Sequence, residues 1–161
     1  MKIRGLGHLA IRTDDLAKTL SFYIEAMGFV EVKRPSGLTF PGAWLALPGE
    51  EDAAILHFYA GPAAVGPDGN VPKDNEQGIA DHLALRAQGF VAFRDRFIKH
   101  GVAWRAQHLQ GSNNWQMFVH DPNGLKIELA FNQPDETGLP VDIPEQNRYK
   151  ASERFFIKNS S

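Results

Sequence analysis

The sequence predicts an α+β fold made from two copies of one strand–helix–strands unit. Three observations predict it. The chain contains an internal repeat. Each copy alternates with period two and then switches to helical spacing. A tight-turn signal separates the last two strands of the second copy. The repeat is the strongest of these. GHLAIRTDDLAKTLSFYIEAMGF, from Gly7, aligns with DHLALRAQGFVAFRDRFIKHGV, from Asp81. His8 and His82, Leu9 and Leu83, Ala10 and Ala84, and Arg12 and Arg86 each stand 74 residues apart. Gly28 and Gly101 stand 73 apart, and Trp44 with Trp115 and His57 with Glu128 stand 71 apart. Small loop differences account for that drift, so a duplicated unit of roughly 50–60 residues is expected.

The elements follow in order. Residues 6–12 alternate, with Leu9 and Ile11 on one face and His8, Ala10 and Arg12 on the other, as a half-buried strand does. Asp14 and Asp15 can cap a helix in which Leu16, Leu20, Tyr23 and Met27 recur, and Gly28 suits its end. Strands are expected near 29–34, 43–47 and 53–59. Residues 60–78 are rich in Gly, Pro and polar side chains and read as the link between the copies. In the second copy Leu83 and Leu85 alternate with His82, Ala84 and Arg86. Phe90, Phe93 and Phe97 then mark a helix that Gly101 ends. Strands are expected near 102–106, 115–120 and 125–131, with Pro122-Asn123-Gly124 as the hairpin turn. The expected organisation is one domain over 1–131, made of repeats at about 5–60 and 79–131, with a C-terminal extension over 132–161. That extension has no repeat counterpart. It reads as a surface tail or as an arm covering a site or a partner subunit.

Composition narrows the chemistry. The chain has 161 residues, 43% of them hydrophobic, which suffices for one packed core. A net charge of −2 carries no electrostatic footprint for nucleic acid or an anionic membrane. No apolar run approaches a membrane span, and residues 1–20 lack the apolar stretch of a secretory signal, so a cytoplasmic protein is expected. There are no cysteines, which excludes disulfides, thiolate nucleophiles and thiolate-held metals. A metal would have to be held by His, Asp and Glu.

Four strand positions meet that need. His8, His57, His82 and Glu128 each take the parity opposite to the large apolar residues of their strands. Alone, a strand His is more often a satisfied structural residue, and a strand Glu is usually solvated. Their equivalence within a repeat carries the reading. Packing of the copies about a pseudo-twofold axis would bring His8 near His82 and His57 near Glu128. Imidazole with carboxylate suits iron, manganese, nickel, cobalt or zinc, and His8, His82 and Glu128 make a 2-His-1-carboxylate set with open positions, typical of Fe(II) sites. His100 ends a helix, His120 reads as a rim residue, and His108 falls in a loop over 107–114. Phe40, Trp44, Tyr59, Trp115 and Phe118 read as core or as pocket wall.

These segments resemble the vicinal oxygen chelate superfamily, also called the glyoxalase/bleomycin-resistance/extradiol-dioxygenase superfamily. The carriers are GHLAIRTDDLAKTLSFY, DHLALR and FVHDPNGLKIEL, and the likeness spans about residues 5–131. It implies paired βαβββ modules forming a cup-shaped, partly closed mixed sheet with helices outside, around one divalent metal. It implies His8, His82 and Glu128 as ligands, most readily of Fe(II), with Mn, Ni, Co or Zn as alternatives. The His at position 57 is most similar to extradiol catechol dioxygenases, where it acts as an acid–base residue. A glyoxalase-like lyase or isomerase would use His57 as a fourth ligand, and a resistance-type protein would simply bind a small molecule. The resemblance therefore implies a metal-dependent ring-cleaving dioxygenase acting on a small catechol-like diol, with His108 as a loop residue near the substrate; Phe118, Trp115 and Tyr59 are candidate pocket residues on their own aromatic character. Position 118 departs from those enzymes, which commonly have Tyr there. A small-molecule substrate and a homodimer are the expected partners.

Overall fold

The computed structural model describes residues 2, 5–65, 69, 80–151 and 155. The chain divides into two compact units, Met1–Glu76 and Gln77–Ser161.

The first unit runs β1 (Leu9–Arg12), α1 (Leu16–Ser21), a wider π-type turn (Phe22–Ala26), β2 (Val30–Val32), β3 (Gly42–Ala46) and β4 (Leu56–Tyr59). Asp15 caps α1, its Oδ1 accepting from the Lys18 amide at 2.9 Å. The helix widens where the Met27 amide donates to the Phe22 carbonyl. Gly28 then leaves the helix at φ +84°, a conformation that strains residues with a Cβ. The sheet is open and mixed, in the order β1-β4-β3-β2, with β1 parallel to β4 and the other pairs antiparallel. Side-chain parity divides its faces. Ala43, Leu45, Leu56 and Phe58 are buried with Tyr23 of the helical segment, whose ring lies 4.9 Å from that of Phe58. Ala10, His57, Trp44 and Val32 stand side by side on the other face.

Gly42 is the position where backbone crowding decides the residue. A Cβ there would run into the Phe58 carbonyl oxygen. Gly42→Ala is therefore expected to destabilise the protein by about 1–3 kcal/mol through overpacking. Urea denaturation reads this directly, and an unchanged midpoint would refute the close approach of β3 to β4.

The second unit repeats the plan with β5 (Leu83–Arg86), α2 (Phe90–Lys99), β6 (Trp104–His108), β7 (Asn114–His120) and β8 (Lys126–Asn132). Its open mixed sheet has the order β5-β8-β7-β6, with β5 parallel to β8. The β7–β8 turn forms at Pro122-Asn123-Gly124, and buried Asp121 organises it. Its Oδ1 accepts from the amides of Asn123 at 2.9 Å and Leu125 at 2.8 Å. Ile127, Leu129, Phe131, Met117 and Val119 are buried on the face that also packs Phe90 and Phe97 of α2. Among the described residues no helix is long and apolar enough to cross a membrane.

The elements agree in kind with the sequence expectation and differ at their ends. β1 begins at Leu9, so His8 lies just ahead of the strand and not within it. β6 and β7 run to His108 and from Asn114, which shortens the expected 107–114 loop. Within the expected 60–78 link, residues 61–64 form a short 3-10 turn, and residues 66–68 and 70–78 lie outside the described residues.

The described part of the extension is tied to the second unit. The Glu136 carboxylate accepts from the amides of Gly89 at 2.8 Å and Phe90 at 2.7 Å, and so caps α2 from a distant stretch of chain. Asn147 Nδ2 donates to the Trp104 carbonyl, the Tyr149 amide donates to Ala106, and Arg148 pairs with Ala106 on the free edge of β6.

Candidate functional site

On the second unit, residues of even number in β7 and β8 share the face opposite the core. Phe118 stands beside Glu128 and Gln116 beside Ala130. Glu128 is only 7% exposed, and a buried carboxylate needs partners for its charge. Gln116 Nε2 donates to Glu128 Oε1 at 2.7 Å, and Gln107 Nε2 donates to Gln116 Oε1 at 2.7 Å. The other carboxylate oxygen, Oε2, lies 3.1 Å from His82 Nε2. His82 Nδ1 lies 2.7 Å from Asp81 Oδ1, which also receives Lys126 Nζ at 2.7 Å. The ammonium and imidazole hydrogen bonds hold the Asp81 carboxyl below its ordinary pKa. Burial pulls Lys126 down, but its bonds to Asp81 and Tyr149 outweigh that and raise it.

This chain of contacts fits a cation. A neutral imidazole has one N–H and here faces two carboxylates. If Nδ1 donates to Asp81, the 3.1 Å gap to Glu128 brings two acceptors together unless a proton or a metal ion is shared between them. Two donors bound at about 2.1 Å to one ion stand about 3.0–3.4 Å apart for right-angle to tetrahedral geometry. The observed separation falls in that range. Asp81 then has the place of the outer carboxylate that fixes the tautomer of a metal-bound His. Among the described residues no group of three or more His, Cys, Asp or Glu side chains is placed to hold a metal ion. His82 and Glu128 are brought together as a pair. Asp81→Asn is expected to weaken Co(II) binding by about 10–100-fold and to leave the fold intact, because Asp81 is exposed. Calorimetric titration checks this, and undiminished affinity would remove Asp81 from the account.

On the first unit, the site side chains form a stack. The His57 ring lies between those of His8, at 3.9 Å and 17°, and Trp44, at 4.0 Å and 5°. The register explains the Trp44 contact, since Trp44 on β3 is directly opposite His57 on β4. His57 is buried and His8 is exposed. Burial first, then the neighbouring His8 and Arg34, lower the His57 pKa, against a backbone hydrogen bond at Ala54 that raises it. His57 is thus neutral at pH 7 and able to accept a proton.

The remaining candidates separate by parity. Tyr59 shares the His57 face and meets Phe40 edge-on at 5.2 Å. Phe118 lies on the Glu128 face, 6.2 Å from His82 and edge-on to it. Trp115 and His108 do not join that face, which corrects the expectation that they line a pocket with Phe118. Trp115 has odd parity and packs against Phe90 of α2 at 5.6 Å, its Nε1 donating to Gln133. His108 is paired with Trp115 in register, stacks on it at 4.9 Å and donates from Nε2 to the Ser112 carbonyl. Because β6 continues through His108, its parity sends it to the core side. His100 is exposed at the end of α2, and His120 meets the buried Phe155 at 4.7 Å.

Sequence reasoning missed Asp81, Gln107, Gln116, Lys126 and Tyr149. Parity alone marks Gln116, two residues before Phe118, and adjacency to His82 marks Asp81. Tyr149 carries no such signal. It comes from the extension and lays its ring on Phe118 at 3.8 Å and 18°, with its hydroxyl 3.4 Å from Lys126 Nζ.

Comparison with known proteins agrees with this fold. The family model described as "Glyoxalase/Bleomycin resistance protein/Dioxygenase superfamily" matches residues 5–129. "Glyoxylase I 4" of Arabidopsis thaliana is 26% identical over 133 residues, covering 81% of this chain and 72% of the relative. "Probable lactoylglutathione lyase" of Vibrio cholerae is 26% identical over 137 residues, covering 82% and 94%. The crystal structure of a glyoxalase family protein from Bacillus anthracis superposes with a TM-score of 0.64 at 21% identity, covering 82% of this chain and 98% of that one. With a duplicated strand–helix–strands plan, two open mixed sheets and a family match over most of its length, this chain belongs to the glyoxalase/bleomycin resistance protein/dioxygenase superfamily.

Proposed function

We propose that the protein is a metal-dependent enzyme in which His8, His82 and Glu128 hold one divalent ion, Fe(II) in the leading case. Its reaction is extradiol-type cleavage of a small catechol-like diol. When bound, the ion supplies a Lewis-acidic centre with open positions for two neighbouring substrate oxygens. The chain's own residues do the rest. Gln116 holds Glu128 Oε1, leaving Oε2 on the His82 side. Neutral His57 takes a proton from the diol, and Trp44 keeps its ring plane fixed. Phe118, covered by Tyr149, gives an apolar wall beside Glu128.

One observation favours His57 as an acid–base residue over a fourth ligand. A ligating imidazole nitrogen points its lone pair within the ring plane. The His8 and His57 rings stack with centroids 3.9 Å apart and planes inclined by 17°, so their in-plane lone pairs do not converge on one nearby point. With His8 among the residues that would hold the ion, His57 would serve as the base.

Anaerobic loading with Fe(II), followed by an oxygen electrode and a panel of catechols, tests the reading. Oxygen uptake with appearance of a coloured ring-cleavage product is expected. No uptake with any catechol, in protein shown to hold iron, overturns the dioxygenase assignment. The second reading, a redox-neutral lyase, is favoured by the names of the Arabidopsis and Vibrio relatives. Turnover of lactoylglutathione by the Ni-, Co- or Zn-loaded protein, without oxygen, would establish it instead.

A further inference from the structure

Arg34 lies two residues past β2 and continues the parity of Val30 and Val32, on the face that carries Trp44 and His57. One end of its guanidinium is anchored. Nη1 donates to the carbonyls of Phe40 at 3.0 Å and Gly42 at 2.9 Å, and the group lies 4.8 Å over the Phe40 ring. The other edge is not used by the protein. Nε and Nη2 are buried without a hydrogen-bond partner, and no ion pair of Arg34 is found among the described residues. Trp44 Nε1 is buried and unpartnered as well. Trp44 is two residues from Gly42 on β3, so it lies about 7 Å further along the same face.

Buried polar atoms without partners are rare in native proteins, and an unpaired buried cation is among the most costly. Here all three orphaned atoms are N–H donors, and one group is charged. A ligand that satisfies them must bring acceptors and negative charge. Nε and Nη2 are the parallel pair of the arginine fork, which matches the two oxygens of a carboxylate or phosphate. Gly42 has a place in the same corner, because a Cβ there would lie 3.5 Å from Arg34 Nη1.

We propose that this corner of the first unit binds an oxyanion carried by the small-molecule ligand, a carboxylate or a phosphate, with the Arg34 fork as its donors and Trp44 Nε1, further along the same face, as a donor to another acceptor of that ligand. The substrate is then an anionic molecule whose charged group is separate from the atoms that react. The proposal rests on the reading of this face as the substrate face, and it does not depend on which metal or reaction is correct.

Calorimetric titration of the full chain tests it, before and after removal of metal by chelation, with benzoate, phenyl phosphate and neutral benzyl alcohol as probes. The two anions are expected to bind at least roughly tenfold more tightly than benzyl alcohol, as charge-assisted bonds allow. Whichever anion binds more tightly identifies the group. Arg34→Gln should remove that advantage and leave benzyl alcohol unchanged, and Trp44→Phe should weaken the anions in part. If Arg34→Gln does not fold, Arg34→Lys carries the test, because it retains the charge and loses the fork. Equal binding of benzoate and benzyl alcohol, or unchanged anion affinity in the Arg34 variant, overturns the proposal. Because the metal-free arm reads binding alone, failure of the metal reading leaves this result standing, and the converse holds too.

Discussion

Glu128→Gln is expected to strip the protein of its metal, and its activity with it. The substitution keeps the shape of the side chain and removes its charge. Glu128 is buried, Gln116 fixes one of its oxygens, and His82 faces the other at 3.1 Å. A cation placed there is stabilised chiefly by that charge, in surroundings where water screens little. The loss of metal affinity should exceed the roughly 10–100-fold expected for an outer partner such as Asp81. The amide can still bond to Gln116 after a flip of one side-chain amide. Compared with wild type stripped of metal, the variant should therefore unfold at an unchanged or higher temperature, because a buried charge is gone. Metal content after loading and desalting, read beside thermal unfolding, separates the two effects. A variant that retains its metal would remove Glu128 from the ligand set.

The parts of this arrangement that sequence makes legible are those with a fixed period. Strand parity placed His57 and Glu128 opposite the large apolar residues of their strands, because alternation with period two is a property of the pleat itself. The repeat register located His82 and Glu128, now 3.1 Å apart. Parity also explains the failures. His108 reads as a loop residue because the expected strand stops at 106 while β6 runs to His108, and Trp115 differs in parity from Phe118, which puts it on the opposite face of β7. What sequence alone leaves hidden is long-range. Glu136 caps a helix that begins 46 residues earlier, and Tyr149 reaches Phe118 from outside the repeat. No local propensity encodes such contacts. The stack of His57 between His8 and Trp44 is likewise a matter of rotamers chosen by packing.

His57→Gln is expected to lower kcat by roughly 10²–10⁴-fold, the usual contribution of a positioned acid–base group, while the protein keeps its metal. The pH profile carries the sign. Burial and the neighbouring His8 depress the His57 pKa, so the base form persists below the ordinary value of 6.5. The rate should hold as pH falls through 6.5 and then decline on an acid limb below it. That limb should vanish in the variant, which has no titrating group at this position. A limb that survives the substitution would belong to another group. Trp44→Ala should reproduce part of the loss with metal still bound, because it removes the ring that holds His57 in its plane.

Elemental analysis separates the residues that hold the metal from the residue that moves the proton. The wild-type chain and the variants His8→Ala, His82→Ala, Glu128→Ala and His57→Gln would be purified without chelator, and the metal per chain measured. The account predicts about one divalent ion in the wild type and in His57→Gln, and little in the other three, as for a site closed by three protein ligands. Loss of metal from His57→Gln to the same degree as from His82→Ala would contradict it, making His57 a fourth ligand and the lyase reading the better one.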